Sequence, residues 1–107
     1  FGQSNAPTAR RMRGALGLIR ARDPALEVDG EMHGDAALVP AIRARAVTGS
    51  ALTETANLLV FPTLDAANIA FNLVKAACDG LQVGPALLGR RKPVHVLVPS
   101  VTARGIA

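Results

Sequence analysis

The stretch NLLVFPTLDAANIAFNLVKAACDG, Asn57–Gly80, decides the fold. Leu58, Leu59, Val60 and Phe61 are consecutive and apolar, so a strand built from them needs cover on both faces. That is the signature of an interior strand in a parallel sheet. Burying each of these side chains is worth roughly 1.5–3 kcal/mol. Pro62 stops the strand, and the Thr63 hydroxyl is placed to cap the next helix. That helix, Leu64 to Ala77, has its polar positions, Asp65, Asn68, Asn72 and Lys75, at spacings of three and four. The rest of it is apolar. Its polar stripe has two readings of equal weight: a solvated face, or asparagines bonded to backbone or to a ligand. Asp79-Gly80 is a turn. Strand running into helix is the unit of an α/β sheet with parallel pairs.

Upstream, Ser4, Asn5 and Pro7 mark a helix entry. Ala9, Met12, Leu16 and Ile19 continue it as an apolar stripe, and Asp23-Pro24 ends it. Leu26 to Met32 alternates, with Leu26, Val28 and Met32 on one side and Glu27, Asp29 and Glu31 on the other. This predicts a half-buried strand near a sheet edge. Asp35 is placed to cap a turn from Ala36, Pro40 starts a helix running toward Arg45, and Val47–Thr55 is a loop. Downstream, Leu81–Val83 and Val94–Val98 read as short strands, and Thr102–Ala107 starts a further helix.

The totals set the frame. With 107 residues the chain makes one domain and not two. Half of it is hydrophobic, which argues against disorder. The net charge is +4, yet there is no Trp or Tyr and there are only three Phe, so the stacking platform of single-strand binders is missing. The charges come in blocks. Residues 1–22 hold five arginines and no acid, and Asp23–Asp35 holds five acids and no base. Such blocks suit a dipolar surface or a subunit contact, and no nucleic-acid partner is expected. A single cysteine, Cys78, excludes an intrachain disulfide and fits a reducing, cytoplasmic setting. The longest unbroken apolar run is four residues, so no membrane span and no membrane partner are expected. The loop-like start at Phe1 raises the expectation of a piece of a longer chain.

Chemistry-bearing motifs are sparse. GPALLGRR, Gly84–Arg91, has P-loop glycine spacing, but Arg90 and Arg91 stand where Lys and Ser/Thr belong, and Pro85 removes an amide. It reads better as two tight turns around a short apolar segment. His33 lies among Asp29, Glu31 and Asp35, where a carboxylate–histidine metal site competes with a solvated face, and the solvated face is favoured. His95, inside VHVLV, reads as a hydrogen-bonded structural histidine, and Cys78 as packing. The Ser4–Thr8 helix start, followed by Arg10 and Arg11, is either an anion site or an ordinary cap with solvated arginines.

Three stretches go further by resemblance. VDGEMHGDAAL (Val28–Leu38), NLLVFPTLDAANIAFNLVK (Asn57–Lys75) and GPALLGRRKPVHVLVPS (Gly84–Ser100) resemble the closing segment of the phosphate acetyltransferase family. The likeness runs in order, with matching spacing, over essentially all 107 residues. It implies the C-terminal part of a phosphate acetyltransferase-like three-layer α/β fold, also described as isocitrate/isopropylmalate dehydrogenase-like, with a mostly parallel sheet. Two kinds of protein share that segment: transferases moving acetyl between coenzyme A and phosphate, and bacterial hybrid malic enzymes. EMHGDAAL and PVHVLVPSVT look like the malic-enzyme version. In the transferases a Ser and an Arg hold the acyl phosphate, and an Asp is proposed to deprotonate the coenzyme thiol. Carried over, those places are Val98, Pro99 and Gly105, so all three groups are replaced here.

The resemblance therefore implies no catalytic residue in this segment. It implies an acetyl-CoA-sensing, oligomer-building module of a protein that oxidatively decarboxylates malate. The acetyl-CoA cleft is expected at Gly84, Pro85, Val98, Pro99 and Ser100, with Ser4, Asn5 and Asn68 as polar contributors. The segment itself is expected to hold no cofactor or metal. The parent is expected to use NADP or NAD with Mg or Mn, and to form at least a homodimer through this region. Two other readings stay open, an active phosphate acetyltransferase and an assembly module without a ligand.

Overall fold

The computed structural model describes residues 2, 4–80 and 82–96 of the chain. They fall into two compact units, Phe1–Ala67 and Asn68–Ala107.

The first unit begins with helix α1, Pro7–Arg22. Pro7 sits in the first turn, where a missing N–H costs nothing. The expected stripe is present: Ala9, Met12 and Leu16 are half-buried, while Ile19 lies at its exposed end. The helix closes where Asp23-Pro24 predicted, with the Asp23 amide donating to Ile19 O at 2.8 Å. Helices α2, Gly34–Leu38, and α3, Pro40–Ala46, come next, packed on each other and joined through extended Val39. Among the described residues the buried set of this unit is Ala36, Ala37, Arg43 and Val47. Val47–Thr55 is a loop, as expected.

The segment Leu26–Met32 departs from its strand expectation and forms no ladder among the described residues. Its carboxylates bond to groups distant in sequence: Glu27 to Thr53, Asp29 to Ser50 and Ala51, and Glu31 to Arg13. Asp29 also accepts from the adjacent Gly30 amide, and such local side-chain bonds offer the chain an alternative to strand pairing. The expected two-faced alternation is not kept: Val28 and Met32 are half-buried, but so are Asp29 and Glu31, and Leu26 is exposed.

Leu58–Phe61 also lacks a ladder partner among the described residues. Its exposure keeps a two-residue period: Leu58 and Val60 are 76% and 67% exposed, Leu59 and Phe61 37% each. Alternation of that kind is the side-chain geometry of an extended chain. A ladder needs a second backbone alongside, and none lies there among the described residues.

Helix α4, Leu64–Ala77, has the predicted bounds. Thr63 Oγ1 accepts from the Ala66 amide at 3.2 Å, so the expected cap is formed. At the other end the Gly80 amide reaches back to Lys75 O at 3.2 Å, and Asp79 takes φ +47°. That is a Schellman-type stop with Asp in the left-handed position.

In the second unit, Pro85–Val96 folds back on itself. The Leu87 amide donates to Val94 O at 2.9 Å, the Val96 amide to Pro85 O at 3.2 Å, and Ala86 pairs antiparallel with His95. Of the two tight turns expected around the short apolar segment, the one at Leu88-Gly89 is present, with Gly89 at φ +77°, while Gly84 takes φ +107° outside any turn. Gln82 and Val83 form no ladder, and the Val94–Val98 strand is represented by that single bridge at His95. Leu81, Leu97, Val98 and Thr102–Ala107 lie outside the described residues, and with them the expected final helix.

Candidate functional site

Ser4 and Asn5 belong to the first unit, and Asn68, Gly84 and Pro85 to the second. Val98, Pro99, Ser100 and Gly105 lie outside the described residues.

At the α1 start, Ser4 Oγ accepts from the Ala6 amide at 3.3 Å. Arg13 donates to Ser4 O at 2.8 Å, and Arg10 donates to Asn5 O. Arg11 donates to Pro62 O at 3.1 Å. These arginines hold the chain's own carbonyls, which speaks against an anion site, and the expected side-chain cap is not formed either, since Ala6 stands at the N-cap. The α4 stripe resolves similarly. Asn72 Nδ2 donates to Asn68 Oδ1 at 2.6 Å and to Asn68 O at 2.9 Å, on an exposed face. The two asparagines satisfy each other one turn apart. Gly84 O accepts from Gln82 Nε2 at 2.9 Å, and Gln82 Oε1 lies 3.5 Å from Lys75 Nζ, so the hairpin base is tied to the end of α4.

Two structural expectations are corrected. His95 contributes a backbone pairing with Ala86, but its side chain is exposed, because a two-stranded hairpin buries little on either face. Cys78 is exposed just beyond the end of α4, not packed.

The sequence also hid two polar centres. The first is Arg43, 3% exposed. Its guanidinium donates to Ala36 O at 3.0 Å, Ala37 O at 3.2 Å and Glu54 O at 2.6 Å, with Leu52 O at 3.5 Å. A five-residue helix leaves its last carbonyls without intrahelical partners, and a cation seven residues on satisfies them. That spacing was the available signal.

The second centre is the run Glu27, Asp29, Glu31. Glu27 accepts from the Thr53 amide and hydroxyl, and the amide bond leads in holding its carboxyl below the usual range. Burial pushes the Asp29 carboxyl up. Bonds from Ser50, Ala51 and Gly30, with Arg20 at 3.1 Å, outweigh burial and bring it below the ordinary value. Glu31 pairs with Arg13 and accepts from the Gly2 amide at 3.1 Å. With Asp29 and Glu31 so engaged, they do not converge on His33. Among the described residues no three His, Cys, Asp or Glu side chains are grouped to hold a metal.

A cavity of ≈ 130 Å³ lies beside α2 and α3, lined by Met32, His33, Asp35, Ile42 and Val47 among others. Ligand pockets usually hold roughly 300–1,000 Å³, so this one is too small for a coenzyme. Among the described residues no helix is long and apolar enough to cross a membrane.

Comparison with known proteins supplies the class. An NAD-dependent malic enzyme of Rhizobium meliloti (strain 1021) is 54% identical over 106 residues, covering 99% of this chain and 14% of that protein. An NADP-dependent malic enzyme of Escherichia coli (strain K12) is 50% identical over 107 residues, with the same two coverages. A phosphate acetyltransferase of Paracoccus denitrificans is 43% identical over 105 residues, 98% of this chain and 33% of that protein. The chain thus spans about one seventh of the malic enzymes it matches. The family described as phosphate acetyl/butaryl transferase matches residues 1–107 throughout, and the chain belongs to it.

Proposed function

We propose that this chain is the acetyl-CoA-sensing and oligomer-building transferase-like part of a malic enzyme. The parent protein oxidatively decarboxylates malate with NADP or NAD and a divalent metal, in the cytoplasm. The supporting observation is that the Rhizobium meliloti and Escherichia coli malic enzymes match across 99% of the chain. Beside it stands what the family resemblance implies: Val98, Pro99 and Gly105 at the places of the transferase Ser, Arg and Asp. A cleft without arginine or carboxylate at those places has no group to meet acyl phosphate and none to take the thiol proton. It can bind a thioester and leave it intact. Occupancy would reach the malate-oxidising part as a coupling free energy, typically about 1–3 kcal/mol.

The same reading places Leu58–Phe61 as an interior strand of a mostly parallel sheet in a three-layer fold. The exposure of Leu58 and Val60 supports that placement, since so apolar a run needs cover. The family resemblance assigns the cleft wall to Val98, Pro99 and Ser100, with Gly84 and Pro85.

Calorimetric titration of the intact parent with acetyl-CoA, alongside an assay of acetyl phosphate formation, tests the proposal. Binding without acetyl phosphate formation is expected. Absence of binding rejects the sensing role. The Paracoccus denitrificans likeness favours a second reading, an active phosphate acetyltransferase, and acetyl phosphate formed at a catalytic rate would establish it.

A further inference from the structure

The net charge of the chain is not spread along it. Residues 1–79 carry eight cations and eight acids, and residues 80–107 carry four cations and no acid. Three of those four, Arg90, Arg91 and Lys92, are consecutive. The hairpin places them together at its tip, past the turn at Gly89, where all three are exposed. Leu88 beside them is 92% exposed. Among the described residues the ion pairs are Arg13–Glu31 and Arg20–Asp29, both inside the first unit.

We propose that this tip, Arg90-Arg91-Lys92, is an anion-binding element that holds the phosphates of a nucleotide ligand. Three adjacent cations with no acid in the same 28 residues make a local positive field that favours multiply charged anions. Arginine adds a planar fork that matches phosphate oxygens two at a time. The size of the element selects the ligand class. One hairpin tip spans a few phosphates, and residues 80–107 contain no Phe, Tyr or Trp on which successive bases could stack. A small phosphate-rich ligand fits these features better than a nucleic-acid strand. The hairpin base is Gly84-Pro85, the expected cleft wall, so one element would meet both ends of a thioester–nucleotide ligand. The identity of that ligand as acetyl-CoA rests on the proposed sensing function, while the phosphate chemistry of the tip does not.

Calorimetry on the intact parent protein tests the assignment, comparing it with Arg90→Gln/Arg91→Gln/Lys92→Gln. The probes are acetyl-CoA, acetyl-pantetheine, which lacks the phosphates, and inorganic pyrophosphate. Acetyl-CoA is expected to weaken by roughly tenfold or more, from the loss of charged hydrogen bonds. Acetyl-pantetheine is expected to bind both proteins alike, and pyrophosphate to bind only the unsubstituted one. The single changes Arg90→Gln and Arg91→Gln repeat the test with the fold least disturbed, each weakening acetyl-CoA and sparing acetyl-pantetheine. Unchanged acetyl-CoA and pyrophosphate affinities in all variants overturn the assignment. Pyrophosphate binding that the substitutions abolish, with no acetyl-CoA binding in the unsubstituted protein, upholds the tip and rejects the acetyl-CoA reading. If the unsubstituted protein binds neither probe, both fall.

Discussion

Arg43 brings a full positive charge into the first unit with backbone carbonyls as its hydrogen-bond partners. Its fork closes the open end of α2 and ties it to the loop at Glu54, which no neutral side chain of that length can do. Removing it leaves the buried Ala36 carbonyl without its donor, at about 1–3 kcal/mol for an unsatisfied group, and forfeits the bonds to Ala37 O, which keeps the Ala56 amide, and to Glu54 O. Arg43→Met in the parent is therefore expected to lower stability by about 2–4 kcal/mol in urea denaturation, with Arg43→Lys recovering only part. Asp29, with its side chain 3% exposed, is the anionic counterpart. Its carboxyl lies below the ordinary value of 3.8 in the folded chain, despite burial, because Ser50, Ala51, Gly30 and Arg20 favour the charged form. A lowered folded value means stabilisation that is present above the ordinary value and lost as pH falls through the folded one. Acid titration of stability should show that loss in the parent protein, and Asp29→Asn should flatten it. An identical acid profile in Asp29→Asn would remove Asp29 from the account.

The helices were legible because their signals are local. Pro7, Pro40, the Thr63 hydroxyl and Asp79-Gly80 act within one turn of the ends they set, and each helix starts or stops there. The ladders were not legible in the same way. Leu26–Met32 has the alternation of a strand, but pairing depends on a second backbone, and its carboxylates found Thr53, Ser50 and Arg13 instead. Arg43 escaped notice because its partners lie six to eleven residues away and are carbonyls, which no residue name announces. The expected site was read from resemblance, and its Val98–Ser100 wall lies outside the described residues. The α4 stop gives an element-level prediction. Asp79 sits at φ +47°, where a side chain is disfavoured by roughly 1–2 kcal/mol relative to glycine. Asp79→Gly is expected to raise the melting temperature of the parent, and Asp79→Val to lower it. The opposite order would show that the aspartate carboxylate, not the backbone, decides that turn.

Taken whole, the described chain keeps its buried residues in a small cluster around α2 and α3, while Leu58, Val60, Leu64, Leu73 and Leu88 face outward. So much exposed aliphatic surface on a family member that spans one seventh of its malic-enzyme relatives is matched by what a larger assembly would cover. Hydrogen exchange of the parent protein should find the Leu58–Phe61 amides strongly protected, as interior strand amides are. Rapid exchange there would contradict the sheet. The central claim is that a transferase-like cleft has become a receptor for acetyl-CoA. Its most direct test is the malate-dependent rate of NADPH or NADH formation by the parent across an acetyl-CoA titration. A saturable change in that rate is the predicted result, and a rate that stays flat at every concentration would contradict it.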